Sequence, residues 1–334
     1  MGEHRVALVG AGRIARLHAE NVAASVTRLR LVAVADPAAG AAAALAADFG
    51  GYPVDDWRQL LDRDDVDALV LCSPSAIHPE QIAAAAEAGK HVFCEKPIAA
   101  DVESADRAVA AAEAAGIMLQ IGYNRRFDHS FASVRNTVAT GRIGKPVIVR
   151  ITARDPEPPP RAYLEHTPGL LVDTTSHDLD LVRFVTGSDI VEVTARTASL
   201  VSADAAAFGL ADTAVTTVVL DSGALGVIDN CWLSTYGYDQ RLEVHGTEGM
   251  VEARNEVQNR TVIADAAGFH APTLPYFFLE RYAPAFVREL DAFADALDGA
   301  PVAITGWDGR QALAAAVAAK RSAEEDRIVR LDEL

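Results

Sequence analysis

The strand-like run RVALVG leads without interruption into Gly10-Ala-Gly12-Arg-Ile-Ala15, a GxGxxA turn that opens a helix. No other segment restricts the chain's fold so tightly. Gly10 permits the tight turn, Gly12 lets the backbone approach a pyrophosphate, and Ala15 keeps the helix close to the sheet. The helix amino terminus then offers oriented N–H groups to an anion. Alone, such a turn is a weak signal, and a glycine turn that binds nothing is the plain alternative. The next strand, LRLVAVAD, ends in Asp36, 24 residues beyond Gly12, where a carboxylate can accept both ribose hydroxyls of an adenosine.

The first third of the chain continues the same alternation. DALVLC, HVFCEK and MLQIGY are short β-rich runs separated by alanine-rich helical stretches, the pattern of a doubly wound parallel sheet. Gly89 and Gly116 are predicted to mark helix carboxyl ends. Near Gly122 the character changes. A helix is predicted over His129 to Thr140, then the strand PVIVRITARD, then a proline-rich loop, PEPPPRAYLEHTPG, suited to a lid or site wall. Two strands are predicted around Ser222-Gly223 and two more around Gly246 to Gly249, forming an antiparallel sheet. Helices are predicted over Leu279 to Leu297 and Gly309 to Glu325, the second with Asp308 and Gln311 at capping-box spacing. At roughly 150 residues per domain, 334 residues make two. The expected fold is an α/β Rossmann domain, 1–123, followed by an α+β domain, 124–334, with an open, largely antiparallel sheet.

Charge narrows the partners. Thirty Lys and Arg against 47 Asp and Glu give −17 with no basic cluster, which repels phosphate backbones and anionic lipid. No apolar run approaches the roughly 20 residues of a membrane span, and no signal-peptide layout precedes the first strand. Cys72, Cys94 and Cys231 are widely spaced within apolar runs, as buried thiols in a reducing compartment would be. The expectation is a cytoplasmic protein that binds neither nucleic acid nor membrane. Leu31 to Trp57 contains no Lys or Arg, so a 2′-phosphate beside Asp36 would be unpaired and repelled; NAD is favoured over NADP, although Arg13 in the turn can reach a phosphate.

Two further motifs carry chemistry. In HVFCEKPIA, Pro97 stops the strand and leaves Lys96 at its carboxyl end, where open α/β sheets bind ligands. In GLLVDTTSHDLD, Asp173 and His177 stand four apart and share one face of a helix. The bland readings are a solvated Lys-Pro terminus, a helix cap at Asp173 and a core histidine. Half a metal site is the weakest reading, because no second ligand pair lies nearby in sequence.

With GAGRIA, CEKP and DTTSHD in this order and spacing, the chain resembles the Gfo/Idh/MocA family of nicotinamide-dependent sugar and polyol dehydrogenases. GYNRRFD, ITARDPEPPP, STYGYDQRLEVHG and YFFLERYAPAF look most like its inositol 2-dehydrogenase branch. The resemblance implies oxidation of a secondary hydroxyl to a ketone by hydride transfer, and commonly a homotetramer with the open sheets packed together. It puts the catalytic groups on Lys96, Asp173 and His177, and the substrate-facing ones on Arg126, Asp155 and Tyr236. The cofactor positions are Gly10, Gly12, Arg13, Ile14, Asp36, Ser73, Pro74, His78, Glu95 and Lys96. RAYLEHTP, Thr174 and Ser176 depart from that branch.

The chemistry accounts for those residue types. An alcohol holds its proton too tightly near neutrality for unassisted hydride loss. His177 can accept that proton if Asp173 orients its ring, and Lys96 can stabilise the developing alkoxide. Either Lys96 or His177 can be the immediate base. The alternatives are the same chemistry on another sugar, an inosamine or a ketosugar, for which Glu165 would be the marker of an amine, and a nucleotide-sensing regulator without catalysis.

Overall fold

The computed structural model describes residues 3–334. Its first sheet has six parallel strands: β1 (His4–Val9), β2 (Leu29–Ala35), β3 (Tyr52–Val54), β4 (Ala68–Leu71), β5 (His91–Glu95) and β6 (Leu119–Gly122). They lie in the order β3-β2-β1-β4-β5-β6. Strand order reverses between β1 and β4, so a crevice opens beyond Val9 and Leu71, the place where doubly wound sheets take ligands. β4 is buried at every position because helices cover both faces.

The second sheet is built from β7 (Pro146–Arg154), β8 (Ile190–Ala198), β9 (Thr213–Leu220), β10 (Leu225–Cys231), β11 (Asp239–Gly246) and β12 (Met250–Ala253). A separate hairpin joins β13 (Ile263–Asp265) to β14 (Gly268–His270), and β15 (Val329–Arg330) closes the sheet edge beside β8. The order is β12-β11-β7-β10-β9-β8-β15, antiparallel throughout except where β10 runs parallel to β7. Alternation places Val149, Ile151, Ala153, Val218, Ile228, Leu242 and Val244 in the core.

By spatial contact the chain forms two compact units, one running to Asn124 and including Pro284–Leu313, the other Arg125–Ala283 with Ala314–Leu334. The expected cut at 123/124 assigned 284–313 to the second domain, whereas these residues group with the first. The helix Ala283–Leu297 completes that unit's core: Leu290 and Phe293 join Val6, Leu8, Val70 and Phe93, and Gln120 Nε2 donates to the Glu289 carbonyl at 2.8 Å.

Two helix boundaries also differ from expectation. The helix predicted from Leu279 breaks at Tyr282 into Phe278–Arg281 and Ala283–Leu297, because Pro284 has no N–H to continue the ladder. The final helix starts at Gly306, capped by Thr305 and Asp308: Asp308 N donates to Thr305 Oγ1, and Thr305 N donates to Asp308 Oδ2. Asp308 therefore closes the capping box where it was expected to open one. Among the described residues no helix is long and apolar enough to cross a membrane.

Candidate active site

The glycine turn meets both geometric demands of a dinucleotide site. Gly10 has φ +101°, and a Cβ built on it would lie 2.8 Å from the Cys72 carbonyl oxygen. Only glycine fits there. Gly12 precedes the helix Arg13–Ala24 without a side-chain cap, and a Cβ on it would meet nothing within 4 Å, so the approach to its backbone is open. Arg13 is exposed and Ile14 half-buried on the first turn, while Ala15 is fully buried against the sheet. The Asp36 carboxylate accepts from Ala11 N at 2.7 Å and Ala38 N at 2.8 Å, which fixes it beside the turn. These residues fit a nicotinamide dinucleotide.

Beyond β4, Ser73 Oγ donates to Gln81 Oε1 at 2.6 Å, and Pro74 is exposed. His78, placed among the cofactor positions from sequence, is instead interior. Its ring nitrogens lie 2.9 Å from the Ser73 carbonyl and 3.0 Å from the Pro97 carbonyl, so it clips the β4 loop to the Lys96–Pro97 turn. Burial holds its pKa below the usual histidine range despite those two carbonyls. Glu95, also expected at the cofactor, turns inward: Oε1 lies 2.7 Å from His18 Nε2, and Oε2 accepts from Lys96 N at 3.2 Å. Lys96 is half-buried at the end of β5, and its bond to Pro97 is cis.

In the second unit the expected single helix is two. Leu170–Asp173 closes with Thr174 N donating to Leu170 O, and Thr175–Thr186 begins anew, with His177 N donating to Thr174 O at 3.2 Å. The break coincides with Thr175 Oγ1 being drawn to Asn230 Oδ1 at 2.7 Å. Asp173 accepts a short hydrogen bond from Tyr163 Oη. Tyr163 lies within the divergent RAYLEHTP stretch and was not singled out from sequence.

Arg126, expected to face substrate, forks onto Asp180, with Nε 2.8 Å from Oδ2 and Nη2 2.6 Å from Oδ1. Its neighbour Arg125 is buried, with Nη1 2.5 Å from Asp178 Oδ1, and Asp178 also accepts from Asn230 Nδ2 at 2.8 Å. Burial pushes Asp178 upward, and Arg125 and Asn230 pull it back. Asp155 follows β7, with its N donating to the Cys231 carbonyl at 2.9 Å, and its charge is felt by Arg125 and Tyr238. Tyr236 is half exposed and donates to Asp239 Oδ2 at 2.7 Å, tied to the sheet face. Tyr238, overlooked in sequence, is the buried ring beside Arg125. The overlooked partners had one legible signal: consecutive arginines in GYNRRF match the two acids of HDLD on an otherwise apolar segment. Glu165 is exposed and reaches Arg161 at 3.9 Å, which already pairs with Asp204.

Residues 4–123 match the model of the oxidoreductase family with an NAD-binding Rossmann fold, and residues 131–252 match the GFO/IDH/MocA C-terminal domain. The chain belongs to the GFO/IDH/MocA family. It is 39% identical over 332 residues to the myo-inositol 2-dehydrogenase of Thermotoga maritima, covering 99% of both chains. It is 40% identical over 324 residues to the inositol 2-dehydrogenase of Rhizobium meliloti, covering 97% of this chain and 98% of that one. Its fold matches the scyllo-inositol dehydrogenase of Lactobacillus casei, solved with NAD(H) and scyllo-inositol, with a TM-score of 0.91, 28% identity, and 98% and 99% of the two chains covered. Like its family, the chain is an oxidoreductase whose Rossmann unit binds a nicotinamide dinucleotide.

Proposed function

We propose that this chain oxidises a ring secondary hydroxyl of an inositol, most directly the 2-hydroxyl of myo-inositol, to a ketone with NAD. The observation that carries this reading is near full-length kinship with inositol dehydrogenases, joined to intact Lys96, Asp173 and His177. The bound dinucleotide supplies the hydride acceptor. Lys96 stabilises the alkoxide through its ammonium. His177 takes the hydroxyl proton, and Asp173, itself held by Tyr163, orients the imidazole. Asp155 offers a polyol hydrogen-bond acceptor, and Arg126 shapes the substrate side while its fork holds Asp180. A fixed, anionic Asp36 with no cation between Leu31 and Trp57 supports NAD over NADP. The exposed position and surface ion pair of Glu165 weigh against an amine-bearing substrate.

A homo-oligomer built through the second sheet is supported by its uncovered face. There Ile148, Leu225 and Val219 lie side by side across β7, β10 and β9, and Leu225 and Val215 are about half exposed. Cytoplasmic operation suits the three free cysteines, two of which burial pushes well above the ordinary thiol range.

The test is a panel of inositol isomers, aldoses and inosamines with NAD and NADP, followed by nicotinamide absorbance. Turnover is expected with inositols and NAD; NAD binding without turnover of any of them favours a nucleotide sensor. Lys96→Ala and His177→Ala should each lower kcat by roughly 100-fold or more with NAD affinity held. A variant of either residue with unchanged turnover removes that residue from the mechanism.

A further inference from the structure

Directly behind Lys96, in the interior of the first unit, three side chains from three elements meet: His18 from the helix Arg13–Ala24, Glu95 from β5 and Glu289 from the helix Ala283–Leu297. Their ligating atoms all lie within 4.8 Å of one another, and all three residues are buried, His18 and Glu289 completely. The proposed role of Lys96 in stabilising the alkoxide gives this cluster no part, and no motif read from the sequence includes Glu289. Resting on that reading of Lys96, we infer that Glu289 is a positioning residue: a buried acid that retains its proton and, through the His18–Glu95 pair, fixes the strand end presenting Lys96.

The charge balance leads there. A single imidazole offsets at most one carboxylate, and Glu95 holds it, 2.7 Å away. Neither Glu289 oxygen has a hydrogen-bond partner, so as an anion Glu289 would be an uncompensated charge in a core lined by Leu290, Phe293 and Phe93. Burial, and then the nearby Glu95, push its carboxyl well above the ordinary range. Cys72, Cys94 and His78 also feel Glu95; burial pushes both thiols up and His78 down, so none of these three adds a compensating cation.

The connection to Lys96 is covalent and hydrogen-bonded. Glu95 is its chain neighbour and accepts from Lys96 N with the oxygen that His18 leaves available. A Cβ on Gly122, across on β6, would sit 3.2 Å from that same oxygen, so the carboxylate is held between backbone and helix. Ionising Glu289 would set a second negative charge against it and displace the strand end. A misplacement of about 1 Å at a reacting group costs up to roughly 100-fold in rate.

Infrared difference spectroscopy tests the protonation directly. The wild-type holoenzyme at neutral pH should show a protonated-carboxyl C=O stretch, shifted by deuterium exchange and absent from Glu289→Gln. Gln mimics the neutral acid and keeps its volume, so Glu289→Gln should keep kcat within about threefold of wild type, whereas Glu289→Ala, which leaves a cavity against the His18–Glu95 pair, should lose about tenfold or more with KM for NAD little changed. Absence of the band from the folded wild-type enzyme overturns the inference without reference to any variant. So does equal impairment of the Gln and Ala variants, or a divalent cation that survives desalting of wild type and is lost from Glu289→Gln. If Lys96→Ala keeps full turnover while the band is present, the reading of Lys96 fails and the protonated acid stands.

Discussion

The two units bury acids in opposite ways. In the second, Asp178, Asp180 and Asp128 each meet a guanidinium, from Arg125 at 2.5 Å, Arg126 at 2.6 Å and Arg281 at 2.5 Å. In the first, Glu95 shares one imidazole and Glu289 has no hydrogen-bond partner. A buried carboxylate is held ionised by a cation or by N–H donors placed against it; without either, protonation is the cheaper solution. Equal burial therefore yields charged anchors in one unit and a proton-holding brace in the other.

The largest test of that contrast is removal of a guanidinium. Arg125→Met strands Asp178 among apolar neighbours and should cost about 3–5 kcal/mol of stability, with Arg125→Met/Asp178→Leu recovering part of it. Denaturant unfolding measures both. A single variant no worse than the double would show that the charge pair is not what anchors this unit.

His18→Leu should cost less, about 1–3 kcal/mol, because it removes one hydrogen bond from Glu95, whose other oxygen keeps the Lys96 N–H, whereas Arg125→Met removes a whole buried guanidinium charge. A loss as large as that of Arg125→Met would erase the distinction between the units.

The smallest effects are two pH slopes of opposite sign, each about 1.4 kcal/mol per pH unit at most. Burial alone would raise Asp212 of the second unit, but N–H donors of Leu200, Val201 and Ser202 at 2.8–2.9 Å outweigh it and hold its carboxyl low. Its folded pKa lies below the unfolded value, so its stabilisation is complete above about pH 4 and is lost as pH falls through the folded pKa. Glu289 is raised, so its contribution is complete below about pH 4 and is lost as pH rises towards its folded pKa. Asp212→Asn should remove acid sensitivity, and Glu289→Gln should gain on wild type as pH rises. Parallel slopes for the two would contradict the assignment.

Much of the architecture was legible because it depends on local pattern. Apolar runs of four to six residues between alanine-rich stretches marked β1, β4, β5 and β6, and alternation around Ser222-Gly223 marked β9 and β10. The edge strands β3 and β15 have three and two residues and no periodicity to detect. The helix break at Thr174 coincides with a hydrogen bond from the Thr175 hydroxyl to Asn230, 55 residues away, a partner that local sequence does not reveal. The resemblance puts His78 and Glu95 at the cofactor; that both side chains are buried and bonded inward was not legible in the sequence, because their partners lie on other elements.

What the sequence determined by itself is the chemistry at each position along the chain: a glycine turn that tolerates no Cβ at Gly10, a carboxylate at Asp36, an ammonium stopped by Pro97, and a carboxylate and imidazole four residues apart. These follow from backbone sterics and residue type. Only the tertiary structure decided which buried acid receives a cation. That depends on helices remote in sequence, Glu289 against Glu95 and Arg125 against Asp178, and charge in a dry interior is set by what folding brings within a few ångströms.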